Sequence, residues 1–273
     1  MKHFLALVAC LLLSTATVAG IKTKEVSYKD GDTTLTGYLV WDGVRVPGIK
    51  NGKGRFGDVK APGVLIVHQW MGVTDYEKDR AKQLAELGYV AFVMDVYGTD
   101  FSPTNMQEAS QASGKFKNDR KLFRKRLLLG LAVFSATAGI ESKTMAAIGY
   151  CFGGTGVLEL ARAQASVAGV VSFHGGLDAP ADGADKNIKA KVLVLHGADD
   201  PFVPQEGIDA MKKSFNEAEV DWQMIEYSGA VHAFTQPMAG NDNARGAAYN
   251  EKADKRSWKH MRAFFDEVVG KVD

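Results

Sequence analysis

Three short stretches of this sequence carry side chains that could act together on an electrophile. The first is Gly149-Tyr150-Cys151-Phe152-Gly153-Gly154, which follows an apolar run and opens a helical one. A nucleophile flanked by glycines in that setting matches the strained strand-to-helix turn that exposes a reactive side chain. Glycine is needed there because a side chain would strike the neighbouring strand or helix. A helix N-terminus beside Cys151 also favours thiolate over thiol. The second stretch, His196-Gly197-Ala198-Asp199-Asp200-Pro201-Phe202-Val203-Pro204, sets a carboxylate on an acidic turn past a buried strand. Asp200 is the better candidate, since Asp199 suits a solvated turn or a helix cap. The third, Gly229-Ala230-Val231-His232-Ala233-Phe234, supplies a histidine after another strand. Thiol, imidazole and carboxylate in series would make an activated nucleophile for acyl transfer, with the carboxylate fixing the imidazole tautomer. A buried structural cysteine at a tight turn could produce the first pattern alone; the three together are far more specific.

Such residues must be brought together by the fold. Residues 25–44 read as a β-hairpin around Asp30-Gly31-Asp32, and the Gly- and Lys-rich residues 43–62 as an exposed loop. Gly63–Val67 is a continuous apolar run, as in a strand buried on both faces. Further strands are predicted at Tyr89–Val96, Met145–Gly149, Val167–Phe173, Val192–Leu195 and Trp222–Tyr227. Helices are predicted at Tyr76–Leu87, Asp119–Ala136, Thr155–Ala163, Ile208–Asn216 and Lys255–Val269. Alternating strands and helices imply α/β architecture, a mostly parallel central sheet with helices on both faces, in one domain over residues 21–273. All three candidate residues then fall at the carboxyl edge, where open α/β sheets bind ligands. Their chain order, nucleophile then acid then histidine, is that of the α/β-hydrolase fold.

Composition narrows the class. With 33 basic and 32 acidic residues the formal net charge is +1, so no basic field for nucleic acid arises. Residues 1–20 combine a charged start at Lys2, the apolar run Phe4–Leu13 and a small-residue exit at Val18-Ala19-Gly20. That is the pattern of a secretory signal peptide, implying a periplasmic or secreted protein with no membrane segment after cleavage. Leu7-Val8-Ala9-Cys10 resembles an acylation motif but sits too early, with the apolar run continuing past it. Of the two cysteines Cys10 leaves with the leader, so Cys151 stands alone and can form no internal disulfide. A lone thiol in an oxidising compartment is a liability unless buried or used. No Cys/His spacing suggests a metal site. His68, His174 and His196 are expected to satisfy local hydrogen bonds at strand ends, and the basic cluster Lys115–Arg126 to form a solvated helix face.

Taken with Val67-His68-Gln69-Trp70-Met71-Gly72-Val73, Asp95-Val96-Tyr97-Gly98, Asp200-Pro201-Phe202-Val203-Pro204 and His232-Ala233-Phe234, the turn around Cys151 is similar to that of dienelactone hydrolases. The resemblance runs from about Val64 to the terminal helix. It implies an α/β-hydrolase fold, a Cys151-His232-Asp200 triad, no cofactor, and hydrolysis of a small ester or lactone through a thioester. The backbone N–H groups of Phe152 and Trp70 should form the oxyanion hole. Gln69, Phe202, Phe234 and Gln236 are expected at the substrate, with Trp70 and Phe152 adding apolar wall. Two positions depart from the family. Gln69 stands where a glutamate engages the resting thiol, and Gln236 where an arginine holds the substrate carboxylate. These departures favour a neutral or bulkier ester, and keep open a ligand-binding protein with weakened chemistry on the same scaffold. A redox role is disfavoured because no second mature cysteine can resolve a disulfide. Oligomeric state is left open.

Overall fold

The computed structural model describes residues 20–178, 180 and 182–272. The leader expected over residues 1–20 therefore lies, apart from Gly20, outside the described residues. Eight strands make one open sheet: β1 (Ile21–Asp30), β2 (Thr33–Asp42), β3 (Gly63–Val67), β4 (Val90–Met94), β5 (Met145–Tyr150), β6 (Gly169–Phe173), β7 (Lys191–Gly197) and β8 (Trp222–Tyr227). Their spatial order is β1-β2-β4-β3-β5-β6-β7-β8. The hairpin β1–β2 is antiparallel and joins β4 antiparallel, while every later pairing is parallel.

The central strands are apolar throughout because both faces are covered. In β3, Leu65 and Val67 enter one apolar cluster and Val64 and Ile66 the other. One face receives α2 (Met106–Asn118), α3 (Arg120–Ala138), α4 (Phe152–Arg162) and α5 (Gln205–Glu217), through residues such as Phe123, Phe134, Val157 and Phe215. The other receives α1 (Asp75–Glu86) and α6 (Glu251–Val268), through Leu84, Met261 and Phe265. Among the described residues no helix is long and apolar enough to cross a membrane. The α/β-hydrolase expectation is met, including both covered faces and the N-terminal hairpin.

Three local readings need correction. Residues 43–62 are not simply an exposed loop, because Val46, Ile49 and Val59 are buried and close one end of the core. The helix α2 is not expected from the apolar pattern, because its inward stripe is only Ala109, Ser113 and Phe116, too small to register as a period. Asp119 divides the basic cluster, ending α2 and accepting the Leu122 N–H as N-cap of α3. Nor is that cluster merely solvated. Arg120 and Arg124 pair with the fully buried Glu159, and Arg126 with Asp30 and the Val96 carbonyl. These pairs tie α3 to α4 and to the hairpin.

Candidate active site

The reactive turn begins where β5 ends. Cys151 takes φ 55° and ψ −114°, a conformation costly for a residue with a side chain, and then the chain enters α4. Both flanking glycines are forced by backbone approach. A Cβ on Gly149 would lie 1.9 Å from the Gly153 carbonyl oxygen, and one on Gly153 would lie 2.1 Å from that of Val67. The strain is held by hydrogen bonds: the Cys151 N–H donates to Phe173 O at 3.0 Å and to His174 Nδ1 at 3.2 Å, and the Thr155 N–H to Cys151 O.

The other two residues arrive from loops past β7 and β8. Asp200 is buried, and its Oδ1 accepts the Phe202 N–H while Oδ2 faces His232. Asp199 is exposed, so the ambiguity between the two aspartates resolves to Asp200 on geometry. His232 sits in a loop but is pinned: its N–H donates to Gly246 O at 3.1 Å and its carbonyl accepts the Ala248 N–H at 3.0 Å. The result is a continuous series. His232 Nε2 lies 3.1 Å from Cys151 Sγ, and Nδ1 lies 2.8 Å from Asp200 Oδ2.

Both ends of the thiol–imidazole contact shift toward their charged forms. For His232, burial opposes a charged ring, but the Cys151 sulphur and the Asp200 carboxylate outweigh it and raise the pKa to about 10. Burial likewise opposes a charged Cys151, but the adjacent His232, with a smaller contribution from Lys117 and the Phe152 N–H, brings its pKa below the ordinary thiol value. Each group thus favours the charged form of the other, thiolate for Cys151 and imidazolium for His232. His174 lies directly behind, fully buried, its ring 5.3 Å from that of His232. Burial first, then the charge of His232, keeps it neutral. With Nδ1 accepting from Cys151, its Nε2–H donates to Thr235 Oγ1 at 2.8 Å, and Thr235 in turn bonds the Tyr76 hydroxyl.

The remaining expected residues fall unevenly. Trp70 is half-buried in the loop after β3, and its carbonyl accepts the Tyr97 hydroxyl at 3.0 Å. Phe202 is 60% exposed and stands edge-on to the His232 ring at 5.5 Å, at the open side of the site. Phe234 must be corrected: it is fully buried against His174 and Tyr227, so it supports the site from within and presents no surface to a ligand. The Phe152 ring is also core, stacked on Phe123 at 4.7 Å, which leaves only its backbone N–H at the sulphur. Gln69 is buried and its backbone is held by Glu77, while Gln236 opens a short turn at Pro237–Ala239, half-buried. His68 and His174 satisfy hydrogen bonds as expected, whereas the buried Nδ1 of His196 has no partner among the described residues. Tyr97, Thr235 and Tyr76 were not singled out from sequence. Tyr97 lies inside one of the matching segments, and Thr235 directly follows another.

Helices on both sides of an open, mostly parallel sheet, with a thiol on the turn into α4, define an α/β hydrolase. The chain belongs to the dienelactone hydrolase family, whose model matches residues 54–269, and so among hydrolases of esters and lactones. A solved dienelactone hydrolase-like promiscuous phosphotriesterase from metagenomic libraries is 36% identical, with a TM-score of 0.81, covering 91% of this chain and 99% of that one. A Salmonella typhimurium protein provisionally named a carboxymethylenebutenolidase is 25% identical over 226 residues, 78% of this chain and 80% of its own. An uncharacterized Caenorhabditis elegans protein is 30% identical over 146 residues, 52% of this chain and 92% of that one.

Proposed function

We propose that the protein is an exported, cofactor-free hydrolase of small neutral carboxylic esters or lactones, with Cys151 as nucleophile, His232 as acid and base, and Asp200 as the group that orients His232. The observation that carries this reading is the unbroken series of sulphur, imidazole and carboxylate, at 3.1 Å and 2.8 Å, on a strained turn. Cys151 Sγ attacks the carbonyl carbon, and the oxygen takes the displaced electron pair between the N–H groups of Phe152 and Trp70. The carbon–oxygen bond to the leaving alkoxide breaks as His232 supplies its proton, leaving a thioester. That step also removes the sulphur's negative charge, the largest influence raising the His232 pKa. The imidazole thereby becomes a competent base for water, which attacks the thioester and releases the acid, restoring thiolate and imidazolium.

A neutral substrate is favoured by Gln236, which lacks the charge to pair a carboxylate. The likeness to a promiscuous phosphotriesterase adds neutral phosphotriesters as a second electrophile class for the same thiolate. Export rests on the charged, apolar and small-residue pattern of residues 1–20 and is checked by N-terminal sequencing of the protein from the periplasm or medium. The chemistry is tested with a panel of aryl esters, lactones and phosphotriesters under pre-steady-state conditions. The expected result is a burst of one product equivalent with at least one ester, lost in a folded Cys151→Ala variant. Turnover surviving in that variant, or thermal stabilisation by panel members without any turnover, would overturn the reading.

A further inference from the structure

The Trp70 amide owes its place to a histidine that touches no reacting atom. His68 is the first residue past β3, fully buried, with partners on both ring nitrogens. The Val96 N–H reaches Nε2 at 3.1 Å, and a backbone N–H can only donate, so Nε2 must accept. Nδ1 lies 2.5 Å from the Gln69 carbonyl oxygen, which can only accept, so Nδ1 must carry the proton. The two contacts fix a single neutral tautomer. A second proton on the ring would set Nε2–H against the Val96 N–H, in agreement with burial lowering the His68 pKa.

The Gln69 carbonyl and the Trp70 N–H belong to one peptide group, which is planar and trans. Holding the oxygen at one end therefore aims the hydrogen at the other, in the opposite direction. The same oxygen also accepts the Gly72 N–H at 3.2 Å. The next peptide plane is held as well, since Tyr97 Oη donates to Trp70 O at 3.0 Å. Upstream, the Gln69 N–H donates to Glu77 Oε1, and Glu77 closes the capping box of α1 through Thr74. His68 and Tyr97 thus clamp the two peptide groups on either side of the Trp70 α-carbon, with Val96 and Tyr97 supplied by the segment just past β4.

We infer that His68 is a positioning residue for carbonyl attack, its Nδ1–H fixing the Gln69–Trp70 peptide so that the Trp70 N–H meets the developing oxyanion, with Tyr97 as the second clamp. This rests on the proposed hydrolase chemistry. It separates two reactions of one sulphur: acylation by an aryl ester needs an oxyanion donor, whereas alkylation by iodoacetamide at saturated carbon does not.

The experiment measures both rates in the full protein. In His68→Leu, acylation should fall on the order of 100-fold, the usual cost of one oxyanion donor, while alkylation stays within about threefold. His68→Gln, whose amide can both donate to Gln69 O and accept from Val96, should restore acylation to within about tenfold of wild type. Tyr97→Phe keeps the ring and loses only the hydroxyl clamp; it should slow acylation about tenfold with alkylation unchanged, and it carries the decision if His68→Leu does not fold. Acylation and alkylation falling together, or acylation unchanged in the folded variants, would overturn the inference. A wild-type protein that is alkylated but never acylated would instead remove the hydrolase reading, and this inference with it.

Discussion

Removing the sulphur should change the acidity of the histidine that faces it, by an amount the geometry sets. His232 is held near pKa 10 against a burial effect that alone would lower it, and the largest opposing influence is Cys151. The two charges meet at 3.1 Å. At an effective dielectric of about 20, unit charges at that distance attract by about 5 kcal/mol. That corresponds to about 4 pKa units. Cys151→Ala leaves burial and Asp200 in place, so His232 should titrate near 6 in the variant, the difference of about 10 and about 4. The assay is NMR of isotope-labelled histidine, following the His232 ring across an acid-to-alkaline titration of both proteins. Because the thioester is as neutral as the alanine, the variant reports the base strength available for the second half of the proposed reaction. A His232 that still holds its proton into the alkaline range in Cys151→Ala would refute the reasoning. It would mean that Asp200 rather than the sulphur controls the proton, and that the ring could not accept one from water at neutral pH.

Asp200→Asn removes the acceptor at 2.8 Å and lets His232 turn to the wrong tautomer; kcat should fall on the order of 10⁴-fold with KM little changed, and steady-state kinetics showing less than a tenfold loss would argue against the orienting role. Gly153→Ala would set a methyl 2.1 Å from the Val67 carbonyl and 2.7 Å from that of His68, neither of which can step aside. A loss of roughly 3 kcal/mol is expected. Calorimetry should register it as a Tm lower by about 10 °C, and an unchanged Tm would mean the turn opens more easily than its packing implies.

What could be read in advance followed from how directly each feature is written in local sequence. The strands β3 to β7 were visible because burial on both faces demands unbroken apolar runs, as in Val64–Val67. The turn around Cys151 was visible because only glycine tolerates its backbone contacts. Asp200 and His232 were found by order along the chain, a property of the fold more than of their neighbours. The helix α2 escaped because its inward residues are Ala109, Ser113 and Phe116, and the ion pairs of Arg120, Arg124 and Arg126 escaped because their partners are remote in sequence. Phe234 departs from its expected place for a related reason. Adjacency to His232 along the chain says nothing about side, and with Ala233 at φ 57° between them the chain turns Phe234 into the core. His68 and Tyr97 lie inside matching segments, but their part in the site is not legible there, since it depends on which backbone atoms they reach.

Gln69 has a different meaning beside the charge preferences of Cys151 and His232. Against the family pattern it reads as a lost carboxylate, a weakness, because a resting thiol would need help to ionise. Here His232, the Phe152 N–H and the start of α4 already favour the thiolate form of Cys151. A second anion in the loop after β3 would work against that state. Gln69→Glu should therefore shift the alkylation profile of Cys151 to higher pH and slow ester hydrolysis near neutrality. Iodoacetamide rates measured across pH, beside hydrolysis rates for the best ester, decide the matter. Faster hydrolysis with a profile moved to lower pH would show that the glutamine is a deficit after all, and that the thiolate of this chain is less well supported than its surroundings indicate.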